Sequence, residues 1–370
     1  MKLLHNYFCL NNILFVFFYI LFINSYAHSN EIDGIYSFKD VYIENESNNS
    51  LEAKTKGIEN SINEKFKSLI KTLTIKNIDY NFIIENFNSD DYLKNVVLNN
   101  EIVTEKKYIA DINIFFERKK IIDLFRTNRI LFSDALSPEF LFISNYNLDG
   151  SEILWEGNKI NSEWLKYKDT NNQINFNIPN SNNANKILLS SYDIKNLNII
   201  NLNKILDYYK LENLIIFNIT KEYNSEDGKI YFNLNIIYYT SSDNSLSTIY
   251  NNKIDQNNLN QDNLFNDLVF ISYNEIYNWW KNKTITYYGD INHEVCSYSV
   301  NDIKKIQQIK NKLISISQID SILLNSINLN KIYLKIYYYG NFKELNDILR
   351  LSNINLIKNQ SGCILNYESA

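Results

Sequence analysis

Apolar and polar residues alternate most cleanly between Tyr108 and Glu117. Tyr108, Ala110, Ile112, Ile114 and Phe116 share one face, with Asp111, Asn113 and Glu117 on the other. That is the period of a half-buried strand. Ile121, Ile122 and Phe125 follow at helical spacing, Ser137-Pro138 breaks the segment, and Leu141-Phe142-Ile143 opens a second unit. Upstream, the pattern predicts a strand over Gly34 to Glu44 and a long helix with Ile58, Ile62, Phe66, Leu69, Ile70 and Leu73 on one side. Asn49 with Glu52 reads as its capping box. Gly57 costs that helix about 1 kcal/mol relative to Ala. Helical pieces around Tyr80 to Phe87 and paired strands over Val96 to Thr104 and Lys107 to Glu117 complete a helix laid over a sheet.

The next stretch begins with Trp155 and Trp164 around a short polar segment, and Asn171 to Asn185 reads as a loop containing Pro179. Leu202, Ile205, Leu206 and Tyr209 fit a helix, and Leu214 to Thr220 is an apolar strand interrupted at Asn218. Asp227-Gly228 joins it to Lys229 to Thr240 as a hairpin. A strand near Thr248 to Asn252 follows. A long helix through Phe265, Leu268, Val269, Ile276 and Trp280 closes the unit.

From His293 to Tyr367 the elements read strand (Val295 to Val300), helix (Ile306, Ile309, Leu313, Ile316), strand (Ile322 to Leu329) and strand (Ile332 to Tyr339). Asn301 or Asp302 caps the helix, and Asn330-Lys331 turns the strands. A second helix, boxed by Asn341 and Glu344, and a closing strand region over Ile354 to Leu356 and Cys363 to Tyr367 complete βαββαβ, the ferredoxin-like order. The fold class is therefore α+β, with three consecutive helix-on-sheet modules. The expected divisions are a leader over 1–27 and modules over 28–144, 145–290 and 291–370.

The 370 residues are 45% hydrophobic and 21% charged, a globular balance. With eight Gly and two Pro, the turns fall to Asn, Asp and Ser. A net charge of −5 gives no electrostatic case for nucleic acid or an anionic membrane. Lys2, the apolar run Ile13 to Ile23 and Ser25-Tyr26-Ala27 read as a secretory leader cleaved after Ala27, which implies a periplasmic protein. The run is too short to span a bilayer and no later run is longer, so no stable transmembrane segment is expected after processing.

In order and spacing, the chain resembles an uncharacterised proteobacterial secreted family, domain of unknown function 2066. The residues that carry the resemblance are Ile32-Asp33-Gly34-Ile35, Lys107-Tyr108-Ile109-Ala110 leading into Ile114-Phe115-Phe116, and Ser137-Pro138 before Leu141-Phe142-Ile143. Trp155, Trp164 and Tyr338-Tyr339-Gly340 with Leu345 and Leu349 extend it over most of the mature chain. It departs at Gly157 to Ser162, where the family pattern has a Pro beside the second Trp. The resemblance implies an envelope location, and the family has no known activity to transfer.

Candidate chemistry is sparse. A terminal amine with His28 and His293 is the sole imidazole pair left for copper, and His28 lies on a polar tail, so no metal or cofactor is assigned. Cys296 and Cys363 remain after processing; in the ferredoxin-like order their strands are neighbours, and an exported pair points to a disulfide. The alternative is two buried thiols that never meet. There is no Cys-x-x-Cys, Gly-x-Ser-x-Gly or Gly-rich phosphate loop. Asp90-Asp91 reads as a helix start and Glu226-Asp227 as a turn. Tyr333, Tyr337 and Tyr339 share a strand face with Lys335, a half-wet sheet surface or a docking surface. Trp279-Trp280 reads as core. The leading expectation is a non-enzymatic envelope protein that binds another envelope protein or a cell-wall component. The alternative is a carboxylate-dependent hydrolase with a cleft between modules, distinguished by converging acids rather than a broad apolar face.

Overall fold

A computed structural model describes residues 34–367 apart from 76–80, 149, 168–172, 300–302, 329–330 and 360–361. The leader, His28, the Asn301/Asp302 cap and Asn330 lie outside the described residues.

The first sheet has three antiparallel strands, β1 (Ser37–Glu46), β2 (Leu93–Val103) and β3 (Lys107–Phe116), in the order β1-β3-β2. Tyr108, Ala110, Ile112, Ile114 and Phe116 are all buried, so the alternation that opens the sequence marks the inner face of the central strand. Across it lies α1 (Ser50–Leu73), started by Asn49, whose side chain accepts from the Glu52 N–H. Gly57 has a packing reason. A Cβ there would sit 2.8 Å from Ile43 Cγ2 and 3.2 Å from Asn45 Cβ, so the missing side chain lets helix and strand touch. After α2 (Asn81–Asn86), α3 (Arg118–Thr127) closes the layer through Ile121, Leu124 and Phe125.

The middle sheet contains β4 (Glu139–Asn147), β5 (Glu152–Ile153), β6 (Asn175–Asn177), β7 (Asn213–Asn224), β8 (Lys229–Thr240) and β9 (Ser245–Asp255). Its order is β5-β4-β7-β8-β9, with β6 alongside β4. β4 pairs with β7 in parallel, and the crossover carries α4 (Lys159–Leu165), α5 (Asn183–Leu188), α6 (Ser191–Lys195) and α7 (Ile199–Tyr209). One sheet face packs against α4 and α8 (Leu264–Lys283), the other against α6 and α7. β4 is thus covered on both sides, which explains its unbroken apolar run. Since β4 belongs to this sheet, the first module boundary falls before Glu139 rather than at 144. The expected loop over 171–185 instead supplies β6 and the start of α5. The hairpin at Asp227-Gly228 has four residues between Asn224 and Lys229, with Gly228 at φ +70°.

The last module runs β10 (Ile291–Ser299), α9 (Ile303–Ile314), β11 (Ile319–Asn328), β12 (Lys331–Tyr339), α10 (Phe342–Arg350), β13 (Ile354–Asn359) and β14 (Gly362–Tyr367). The capping box of Asn341 and Glu344 starts α10. The ferredoxin-like expectation is corrected in its final element. Two strands stand there, paired as a hairpin over Ile354↔Tyr367 to Asn359↔Gly362. The hairpin reverses the chain, so β14 runs parallel to β10 and the order is β11-β12-β10-β14-β13. Cys296, Leu334, Ile336 and Leu365 point inward with the apolar sides of α9 and α10.

Candidate functional site

Three places hold the candidate chemistry: the outer face of the last sheet, the junction of the three modules, and a buried lysine on α8. The face follows from strand alternation. On β12 the side chains of Ile332, Leu334, Ile336 and Tyr338 are buried, while Tyr333, Lys335, Tyr337 and Tyr339 turn outward. Cross-strand register sets Ser297 beside Tyr333, Val295 beside Lys335 and His293 beside Tyr337. Leu323 faces Lys335 from β11, and Ile364 and Ile357 continue the surface onto β14 and β13. Ile291, Val295, Leu323, Ile357 and Ile364 are exposed here, at 37–54%. Both helices of the module pack on the opposite side.

The three tyrosines divide. Tyr333 and Tyr337 belong to the open surface, with Lys335 Nζ 5.0 Å over the Tyr337 ring and the His293 ring 5.6 Å from it. Tyr339 is occupied from within the chain. The Arg126 guanidinium of α3 stacks 3.8 Å over its ring, and its hydroxyl donates to Asp320 Oδ1 at 3.1 Å. The apolar neighbours on β10, β13 and β14 were not singled out in the sequence, because both sides of those strands carry apolar residues. Cys296 and Cys363 are partners in the β10–β14 register, with Cα atoms 4.3 Å apart and sulfurs at the bonding distance of 1.98 Å.

At the junction a cleft of about 610 Å³ is lined by Asp134 to Pro138, Thr284, Thr286, one side of α9 and the segment Ser315 to Gln318. Asp134 is the one acid among the described residues lining it. Its Oδ2 accepts from the Tyr36 hydroxyl at 2.9 Å, Arg118 Nε at 2.9 Å and Ser317 Oγ at 2.8 Å. Burial, with the Asp134 carboxylate alongside, pushes the Tyr36 hydroxyl well above its ordinary range. Arg118 also donates to the Ser315 carbonyl at 2.8 Å, and Arg126 to the Ser317 carbonyl at 2.5 Å. This cluster ties the first module to the third.

The other carboxylate pairs are elsewhere. Asp90 and Asp91 sit exposed in the turn Ser89–Tyr92, and Asp227 accepts from the Lys229 N–H and the Tyr231 hydroxyl in the hairpin loop. Trp164 and Trp280 are core residues, and the Trp280 indole donates to the Ala135 carbonyl at 2.9 Å. Trp155 donates to the Leu189 carbonyl.

Lys281 was not visible to sequence reasoning. It is 4% exposed, donates to the Thr74 carbonyl at the C-terminus of α1 at 2.6 Å, and lies 4.5 Å over the Tyr277 ring. Burial pushes its ammonium down to about 8. A group whose folded pKa is depressed in this sense destabilises the fold fully below pH 8. The penalty, roughly 3 kcal/mol, is relieved as pH rises towards the unfolded value. Lys281→Met should therefore gain stability relative to the parent at pH 7 and lose that advantage by about pH 10. Urea unfolding of both proteins at the two pH values checks this; a difference that stays constant would overturn it.

No protein-family model matches the chain, and no curated protein matches it. Among solved structures, the hypothetical protein CT253 from Chlamydia trachomatis is similar at a TM-score of 0.24 and 11% identity, over 38% of this chain and 98% of that one. A likeness of that size carries no argument about fold or function.

Proposed function

We propose that this chain is a non-enzymatic protein of the cell envelope that docks another protein on the outer face of its last sheet. The observation that carries the reading is the open run of Ile291, Val295, Leu323, Ile357 and Ile364 around Tyr333 and Tyr337. Interfaces enrich tyrosine, and contiguous exposed apolar surface of this kind marks interaction sites. The hydrolase alternative needs two carboxylates facing one cleft, and the junction cleft offers Asp134, already engaged by Arg118, Tyr36 and Ser317. Export through the leader and membership of the domain of unknown function 2066 family are part of the same proposal, resting on the N-terminal pattern and the matching segments.

The test is photo-crosslinking in intact cells with p-benzoylphenylalanine in place of Tyr337, and separately in place of Tyr192, which is 73% exposed on α6. A discrete protein adduct from position 337 and none from 192 is the expected result. No adduct from 337, or the same smear from both, would overturn the docking reading.

A further inference from the structure

We infer that the partner seated on this face is an acidic amphipathic helix: an apolar stripe bordered by Asp and Glu. This rests on the docking reading and names the chemistry of what docks. The centre of the face holds one cation, Lys335, covered on one side by the Tyr337 ring. Among the described residues, the outward positions of β10, β12, β13 and β14 hold no carboxylate; they are Ile, Val, Ser, Asn, His, Tyr, Lys and Gly. Lys331 adds a second cation at the strand end. The acid on this side, Asp320, takes the Tyr339 hydroxyl at the rim beside Arg126. A cation left among apolar side chains in a chain of net charge −5 is complementary to a carboxylate flanking an apolar stripe.

Charge argues against a second copy of this chain. Two such faces brought together would place Lys335 and Lys331 against a surface whose outward acid, Asp320, is already held at the rim by the Tyr339 hydroxyl beside Arg126. A helix is about 10 Å across, so this face accommodates what the opposite one already carries, helices lying on the sheet.

Lys335→Glu and Lys335→Arg, each made in the protein with p-benzoylphenylalanine at position 337, test the inference. Lys335→Glu should lower the adduct yield about tenfold or more, and Lys335→Arg should retain it. The cross-linked peptide, identified by mass spectrometry, should come from another protein and carry Asp or Glu at intervals of about three or four residues. Undiminished yield in Lys335→Glu, or an adduct that is nucleic acid, lipid or this chain itself, would overturn the acidic helix while leaving position 337 a contact site. Absence of any adduct in every variant removes the docking reading and this inference with it.

Discussion

Asp134→Ala should cost about 3–5 kcal/mol of unfolding free energy, because it leaves the Arg118 guanidinium at the module junction without its counter-charge. The carboxylate is 3% exposed and Arg118 is 20% exposed. One oxygen, Oδ2, receives Arg118, the Tyr36 hydroxyl and the Ser317 hydroxyl together. Removing it therefore strands three donors, one of them charged. Arg118→Met combined with Asp134→Leu should recover part of the loss, since a buried pair replaced by apolar groups no longer carries an unpaired charge. Urea unfolding of the single and double variants gives both numbers. A single-variant loss under about 1 kcal/mol would mean that the pair is solvated and adds little. The same cluster joins the turn before β1 and α3 to the segment entering β11, so its loss should let the last module melt separately from the first two. Differential scanning calorimetry should then resolve two transitions where the parent shows closer coupling.

At the junction, side chains of the first module reach the last one and one end of its outer face. Arg118 and Arg126 both reach carbonyls of the segment Ser315 to Ser317, and Arg126 stacks on Tyr339 at one end of the outer face. Lys281 and Tyr277 close the contact between the first and second modules, Lys281 on the Thr74 carbonyl and Tyr277 with its hydroxyl 2.6 Å from the Thr72 carbonyl. A surface assembled this way keeps Tyr333 and Tyr337 open while Tyr339 is spent inside the chain. The interface residues named from the sequence were equivalent in pattern. What separates them is a guanidinium from a helix about 200 positions earlier, which no local periodicity carries.

Local order was readable wherever one side of an element is wet. The alternation on β3, the stripe on α1, and the capping residues Asn49 and Asn341 each encode their own element within a few residues. Legibility fell where both sides are buried. Leu141 to Ile143 is equally compatible with closing one sheet or opening the next, and its parallel partner β7 lies some seventy residues on. It also fell at the end of the chain, where Ile354 to Leu356 and Cys363 to Tyr367 read as one closing unit. They stand instead as two strands, β13 and β14, paired as a hairpin. Tyr36, Arg118, Asp134 and Ser317 meet through hydrogen bonds that span separations from 16 to 199 positions, so their cluster had no signature in spacing. The tyrosine stripe of the outer face was legible in β12, whereas its apolar surround on four other strands depends on strand order.

That strand order makes the cysteine pair informative about the sheet itself. A chain beginning at residue 28, unfolded without reductant, should show no titratable thiol, and reduction or the double change Cys296→Ala with Cys363→Ala should cost roughly 4 kcal/mol in the loop-closure account. The two residues are 67 positions apart, and the bond closes a loop containing both helices and the β11–β12 hairpin. It also sits where the sheet is thinnest in backbone terms. β14 meets β10 over Cys296↔Cys363 and Ser297↔Ile364, whereas β10 meets β12 along nine paired positions. Reduction should therefore act unevenly. Hydrogen exchange ought to speed first in β13 and β14, with β10, β11 and β12 retaining protection until global unfolding. Two thiols counted in the unreduced chain would sink the bond. Uniform loss of protection across all five strands would show that the hairpin is held by its core residues Leu356 and Leu365 and not by the sulfur bridge. Because Ile357 and Ile364 sit on this same hairpin, the covalent link also sets how far the exposed apolar face extends beyond β10.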